Sequence, residues 1–135
     1  MTRIFMMKLD KIQPSQLYIS SEKLSEVMRK INFETPTSIE PLPIKRFGNE
    51  IVFVDGHTRA FAAFLCGFFE VPVYWEDEEL DLDAYKICVK WCKKDGIRSI
   101  ADLKGRVVPH GQYEKLWFKC CEKMQKTLKA ERKRQ

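Results

Sequence analysis

Residues 54–60 read Val-Asp-Gly-His-Thr-Arg-Ala and combine side chains suited to binding an anion. The apolar run 51–54 before them is typical of a buried strand, and apolar residues at helical spacing follow, so we predict a sharp strand-to-helix turn. The first turn of a helix has free backbone N–H groups and the positive end of the helix dipole. Gly56 allows close approach of a ligand, and Arg59 adds a permanent cation whose planar donor fork matches phosphate.

The other residues of this turn add hydrogen-bonding groups. His57 and Thr58 have donors for phosphate oxygens, and Asp55 could cap the helix or hold a Mg²⁺ that the phosphates share. The competing interpretation is a plain turn in which Asp55 caps, Gly56 bends the chain and Arg59 lies on the surface. No GxxxxGK[ST] and no GxGxxG pattern occurs. The turn therefore predicts a phosphate site without P-loop specificity, with Mg²⁺ as a companion ion.

The elements that must position this turn suggest an α+β fold, a small mixed sheet with packed helices. A hairpin is expected at Gly48-Asn49, and the proline in strand 71–75 suggests an edge strand or a strand start. The sequence predicts four strands, over residues 3–12, 42–47, 50–54 and 71–75. It also predicts four helices: one that starts at Ser20 or Ser21, one over residues 57–66, one that ends near Lys94, and one that starts near Gly111.

Composition sets the class of protein. With 135 residues, 44% hydrophobic and 32% charged, the chain has the size and core of one domain. We expect no membrane span, since no apolar run reaches about 18 residues, and no secretory signal. Five cysteines, an odd number, suggest a reducing cytoplasm. Cys88 and Cys92 share a helix face, but we expect buried thiols there and no metal site.

The basic residues concentrate at the C-terminal end. Residues 119–134 contain seven Lys or Arg and two Glu, which accounts for the whole net charge of +5. We call residues 119–135 the basic tail. It is either a solvated helix end or a surface for nucleic acid.

The segment Ile51–Val73 reads I-V-F-V-D-G-H-T-R-A-F-A-A-F-L-C-G-F-F-E-V-P-V. It resembles the signature of the ParB/sulfiredoxin superfamily: a hydrophobic strand, D-G-x-x-R, an alanine-rich helix, a glycine and a strand with P-V. Residues 9–15 and 41–44 resemble its opening strand and a later strand. The resemblance covers residues 4–75 and implies a ParB/sulfiredoxin-like core over 1–75. Residues 76–135 would be a helical C-terminal extension of the same domain.

Branches of the superfamily carry out different chemistry, and the residues at this turn distinguish one branch from another. Sulfiredoxins have a catalytic cysteine where this chain has His57, so sulfinic-acid repair is not expected. Partitioning ParB proteins carry G-E-R-R, bind CTP and continue into a DNA-reading domain, for which this chain is short. Free-serine kinases carry D-G-H-x-R, which this chain matches from Asp55 to Arg59. That resemblance implies that residues 55–59 cradle nucleotide phosphates, with ATP, ADP and CTP as the candidate nucleotides and Mg²⁺ as a companion ion.

Catalysis is the weaker part of the resemblance. Gln16 stands where those kinases have a catalytic glutamate, and an amide cannot take a proton from a hydroxyl. Glu22 is a weak catalytic candidate, for which a helix-cap role is favoured. Gln16 and Trp75 are substrate-side candidates. Three functions stay open: a nucleotide-dependent phosphotransferase, a DNA-associated ParB-like module that uses its basic tail, and an inactive binding or adaptor protein.

Overall fold

The computed structural model describes residues 2–32 and 34–134. The strands are β1 (Phe5–Lys8), β2 (Ile19–Ser20), β3 (Leu42–Phe47), β4 (Glu50–Phe53), β5 (Glu70–Trp75) and β6 (Val107–Val108). Four of them form a central mixed sheet with strand order β1-β5-β3-β4. β1 runs antiparallel to β5, β5 parallel to β3, and β3 antiparallel to β4. β2 and β6 form a separate parallel pair. The predicted α+β class with a small mixed sheet is confirmed, and so is the hairpin at Gly48-Asn49.

Two strand predictions were wrong in detail. The first strand ends at Lys8 because the chain turns into a short 3₁₀ segment, Leu9–Lys11, where the Leu9 N–H bonds to the Phe69 carbonyl. β5 is a central strand although it contains Pro72. Its pairing with β3 starts only at Val73, so the donor that proline lacks is not needed on that side.

The helices pack against this sheet and against one another. Ser20, one of the two predicted starts of the first helix, caps that helix by accepting from the Lys23 N–H. The helices are α1 (Ser21–Lys30), α2 (His57–Leu65), α3 (Leu82–Lys94), α4 (His110–Tyr113) and α5 (Lys119–Lys133). A π-helical turn, Glu114–Phe118, joins α4 to α5 without a break. In residues 2–32 and 34–134 no helix is both long and apolar enough to cross a membrane.

The buried side chains form two clusters. The first combines the sheet and α2 with residues from beyond position 76, and includes Leu42, Phe53, Phe61, Cys92, Ile97, Ile100 and Leu103. The second ties α3 to the C-terminal helices and contains Ala84, Cys88, Tyr113, Trp117 and Met124. The strand-to-helix turn after β4 lies between them, because Phe53 belongs to the first cluster and α3 and α5 approach from the second.

Candidate functional site

The chain turns from β4 into α2 over three residues. The Val54 N–H still bonds to the Pro43 carbonyl, and α2 begins at His57. Gly56 is the N-cap, in the left-handed region at φ 78° and ψ 20°. The Asp55 carboxylate accepts from the Gly56 N–H at 2.8 Å and makes no capping bond to the helix itself. The predicted sharp turn is therefore present, and its start is bent by glycine.

The first turn of α2 presents free donors. Its first intrahelical bond runs from the Ala60 N–H to the Gly56 carbonyl at 2.9 Å. The backbone N–H groups of His57, Thr58 and Arg59 make no hydrogen bond within the part of the chain that the structure describes. Three donors and the positive end of a helix dipole thus point the same way, which is the arrangement that favours an anion.

Gly56 is required by its neighbours as well as by its backbone angle. A Cβ atom at this position would lie 2.5 Å from Leu42 Cδ2 and 2.8 Å from Arg59 Nη2. Both distances are far below van der Waals contact. Only glycine lets the guanidinium fold back against the turn.

Arg59 is partly held by the protein itself. Its Nη1 donates to the carbonyls of Glu40 at 3.0 Å and Pro41 at 3.2 Å. Nη1 also lies 3.5 Å from the Glu40 carboxylate, whose side chain is 82% exposed. Nε and Nη2 have no hydrogen-bond partner among the described residues. The two carbonyls orient the guanidinium. The ion pair with the Glu40 carboxylate is the weakest of these contacts, because that carboxylate is exposed to solvent.

His57 is buried, 3% exposed, and does not point into solvent as a surface donor. Its Nε2 accepts from the Ser15 N–H at 2.9 Å, so the neutral ring carries its proton on Nδ1. That Nδ1 has no hydrogen-bond partner among the residues that the structure describes. Burial lowers the pKa of His57 to about 4, against an opposing effect of Asp55. The site therefore contains a neutral imidazole with an unsatisfied donor.

A cavity of about 200 Å³ lies beside the turn. His57 forms part of its wall, and the Tyr85 hydroxyl at its edge donates to the Val54 carbonyl at 3.0 Å. The wall combines polar and apolar side chains of the core, α3 and the C-terminal helices: Ser15, Gln16, Val54, His57, Asp81, Ala84, Tyr85, Cys88, Trp117, Cys121, Met124 and Gln125. The C-terminal extension thus closes the space next to the proposed anion site.

The other two candidates near the start of the chain differ in placement. Gln16 lines the cavity, and its Nε2 donates to the Tyr18 carbonyl at 2.8 Å. Glu22 instead accepts from the His110 N–H at 2.6 Å and from the hydroxyls of Ser20 and Ser21. Backbone N–H groups, its own and that of His110, lower the pKa of Glu22, and it does not line the cavity. Its surroundings are those of a helix cap, here between α1 and α4.

Trp75 lies away from the turn. It packs on Phe5 with ring centroids 5.9 Å apart, and the guanidinium of Arg46 lies 5.5 Å above its ring. Alternation along β5 sends the neighbouring Tyr74 to the opposite face. Burial first, then the charge of Glu76, raises the pKa of Tyr74, and Arg59 and Asp55 are close enough to act on it too. Tyr74 is therefore the aromatic side chain that β5 brings near the turn.

Sequence reasoning missed several partners of the site. Ser15, Glu40, Tyr74 and Tyr85 each contact it or act on its charges. Tyr85 lies in the predicted helix that ends at Lys94, but the sequence contains no signal for what its hydroxyl contacts. Glu40 lies in a proline-flanked loop, where no periodicity indicates a contact.

Among the described residues the thiols and carboxylates do not form a metal site. Within residues 2–32 and 34–134 no group of three His, Cys, Asp or Glu side chains could hold a metal ion. Cys88 and Cys92 are both buried, and burial raises the pKa of Cys92 to about 12. These two side chains serve the two different apolar clusters.

The basic tail is helical through Lys133 and is partly engaged. Arg132 donates to Asp81 at 2.7 Å and to Asp83 at 3.3 Å, so its charge is used against the start of α3. The lysines at 119, 123, 126, 129 and 133 are exposed. Nucleic-acid binding by this surface stays a prediction.

No protein-family model matches the chain, and no curated protein has significant sequence similarity to it. Solved structures that are similar in part include the following two. The protein Atu1540 from Agrobacterium tumefaciens is 11% identical with a TM-score of 0.46, over 73% of this chain and 50% of that one. The C-terminally truncated chromosome-partitioning protein ParB from Caulobacter crescentus, complexed with CTP-gamma-S, is 19% identical with a TM-score of 0.47, over 68% and 52%.

This chain therefore spans about half the length of each of these two structures. At such identities and TM-scores no residue role is carried over from either protein. What the site does has to be inferred from its own donors, charges and cavity.

Proposed function

We propose that the protein binds a phosphate group of a nucleotide at the turn formed by residues 55–59. The observation that carries the proposal is that two sets of unsatisfied donors belong to the same turn. Three free N–H groups open α2 at residues 57–59, and the buried Nδ1–H of His57 in the same turn lacks a partner among the described residues. Buried polar groups are rarely left without a partner, so a bound acceptor is their natural complement.

Arg59 supplies the charge of the proposed site. Its Nη1 stays on the Glu40 and Pro41 carbonyls, while Nη2 and Nε face no partner in the described structure and can bind phosphate oxygens. The phosphate would replace the exposed Glu40 carboxylate as the neighbouring anion. Asp55 keeps one carboxylate oxygen on the Gly56 N–H, and its second oxygen is the group that would hold a Mg²⁺ shared with the phosphates.

Binding is supported better than phosphoryl transfer. Transfer to a hydroxyl needs a base within reach of the acceptor, but Gln16 has no basic group and Glu22 is committed to His110. The cavity of about 200 Å³ beside His57 would take part of the ligand beyond the phosphate. We therefore propose a nucleotide-binding protein whose phosphotransferase activity depends on a base that Gln16 does not supply.

Calorimetric titration with ATP, ADP, CTP and inorganic phosphate, each with and without Mg²⁺, tests the proposal. We expect binding to the wild type and a loss of at least about tenfold in affinity for Arg59→Ala, since a charged hydrogen bond is removed. Arg46→Ala is the matched control, because that arginine lies over Trp75. Absence of binding to the wild type, or equal binding by Arg59→Ala, would refute the proposal.

The competing carboxylate gives a second arm of the same experiment. Glu40→Gln removes a negative charge from beside the guanidinium while its backbone carbonyl still accepts from Nη1. We expect phosphate to bind about twofold to fivefold more tightly, as for an exposed ion pair. Weaker binding by this variant would show that the anion does not sit beside Arg59.

A separate variant tests whether the protein can transfer a phosphoryl group. Gln16→Glu places a carboxylate on the cavity wall, and free serine with ATP or ADP is the substrate pair to assay. Phosphoserine formed by the variant and not by the wild type would identify the missing base as the reason for inactivity. Serine phosphorylation by the wild type would contradict our inference that Gln16 prevents transfer.

A further inference from the structure

A groove on another part of the surface has no role in the proposed nucleotide site. It has a volume of about 410 Å³ and a mainly apolar wall. The wall is formed where β1 meets the α2–β5 loop and the 3₁₀ turn 100–103, and it includes Lys8, Leu9, Asp10, Phe69 and Ile100. None of these residues lines the cavity beside His57.

Phe69 is the most exposed large hydrophobic side chain of the described structure, at 85%. It stands on the rim of the groove, with its carbonyl held by the Leu9 N–H at 2.8 Å. Leu65, 49% exposed, is the last residue of α2 and lies four positions before Phe69 in the sequence. An aromatic ring held out by a rigid backbone gains free energy only if another surface covers it.

We propose that this groove is the interface of a two-fold symmetric homodimer in which Phe69 of each copy enters the groove of the other. A surface that carries a protruding side chain next to a groove is self-complementary under a two-fold axis, because each copy supplies one ring and one groove. An apolar cavity of about 150 Å³ already holds a benzene ring, so this groove has room for the phenyl ring of a second Phe69.

The charges on the rim fit the same arrangement. Lys8 and Asp10 are exposed, flank the buried Leu9 in the groove wall, and have no ion-pair partner within 4.0 Å among the described residues. In the proposed dimer Lys8 of each copy lies opposite Asp10 of the other. The rim therefore attracts a second copy, whereas two rims of a single sign would repel it.

Sedimentation equilibrium of the full chain tests the dimer. We expect a monomer–dimer equilibrium with a dissociation constant of about 10–100 µM, since an interface of this extent is small. Phe69→Ser should weaken association at least tenfold, as for a central aromatic anchor. Phe118→Ser is the matched control, because Phe118 is 58% exposed and lies outside the groove.

Charge reversal tests the symmetry. Lys8→Glu and Asp10→Lys should each weaken association, and the double variant Lys8→Glu/Asp10→Lys should recover it, because the pair is then inverted in both copies. A wild type that stays monomeric up to about 1 mM, or a Phe69→Ser variant that associates as strongly, would overturn the proposal. Failure of the double variant to recover would overturn the two-fold arrangement. Neither result bears on nucleotide binding, which uses other residues.

Discussion

His57 shows how burial defines a histidine. Its Nε2 accepts from the backbone of Ser15, its ring meets Phe53 at an interplanar angle of 64°, and desolvation lowers its pKa to about 4. A surface histidine in such a turn would bind phosphate as a cation. This one contributes a neutral donor, so the positive charge of the proposed site comes from Arg59 and the helix dipole.

The pKa of His57 predicts how stability depends on pH. Between pH 6.5 and about 4 the unfolded chain binds a proton that the folded chain does not, so the free energy of unfolding falls as pH falls. The contribution of His57 to the free energy of unfolding is therefore fully present above pH 6.5. It decreases by on the order of 2–3 kcal/mol as pH falls toward 4. Urea unfolding at several pH values measures it. His57→Gln, which cannot titrate, should have a flatter profile, and equal slopes for both proteins would contradict the prediction.

Gly56 and Gly67 separate backbone strain from steric clash. Both have positive φ, 78° and 85°, but a Cβ at Gly67 meets nothing within 4 Å, whereas one at Gly56 meets Leu42 and Arg59. We expect Gly67→Ala to cost about 1–2 kcal/mol from the left-handed backbone alone. Gly56→Ala should cost about 1–3 kcal/mol more because Leu42 and Arg59 must move. Denaturant unfolding of the two variants measures the difference, and equal costs would refute the clash.

Among the elements, the C-terminal end of α5 is held to the start of α3 by the ion pairs of Arg132 with Asp81 and Asp83, which we call the clasp. Arg132 donates through both terminal nitrogens to Asp81, which is also the N-cap of α3 through the Ala84 N–H. The hydrogen bonds from Arg132 lower the pKa of Asp81. The clasp lies beyond Met124, the last buried α5 side chain of the second cluster, and beyond Leu128, which packs against that cluster. It therefore keeps the last turns of α5 close to α3.

Releasing the clasp should loosen α5 locally. For Arg132→Gln we expect faster amide hydrogen exchange in the last two turns of α5, with little change in the sheet, because only the pairing with Asp81 and Asp83 is lost. Lys129→Gln, an exposed lysine on the same helix, is the control. High salt should reproduce part of the effect in the wild type. Unchanged exchange in Arg132→Gln would show that apolar packing alone holds the helix.

At the scale of the whole molecule, the core joins both halves of the chain. Cys92, Ile97, Ile100 and Leu103 lie in the same cluster as Leu42 and Phe61, all nearly inaccessible to solvent. A resemblance that ends near residue 75 therefore covers only part of the hydrophobic core. The C-terminal extension completes this core and closes the cavity beside His57.

Truncation tests whether the C-terminal extension is needed to complete the core. A chain that ends at Trp75 loses those four side chains, and we expect no cooperative unfolding transition by circular dichroism, because the core left behind is open to water. A chain that ends at Phe118 keeps the first cluster and should unfold cooperatively at lower denaturant concentration. Cooperative unfolding of residues 1–75 would show that the first segment folds alone.

The sequence by itself determined the local parts of this protein. The hairpin at Gly48-Asn49, the Ser20 cap, and the strand, turn and helix around Gly56 follow from residues a few positions apart, whose spacing and backbone freedom decide the conformation. Tertiary structure decided the rest, because partners distant in sequence leave no local pattern. His57 meets Ser15 across 42 positions, Arg59 meets Glu40 across 19, and β5 became a central strand despite Pro72. Only the folded chain shows that the histidine is neutral, that the arginine is already oriented, and that Phe69 stands beside a hollow.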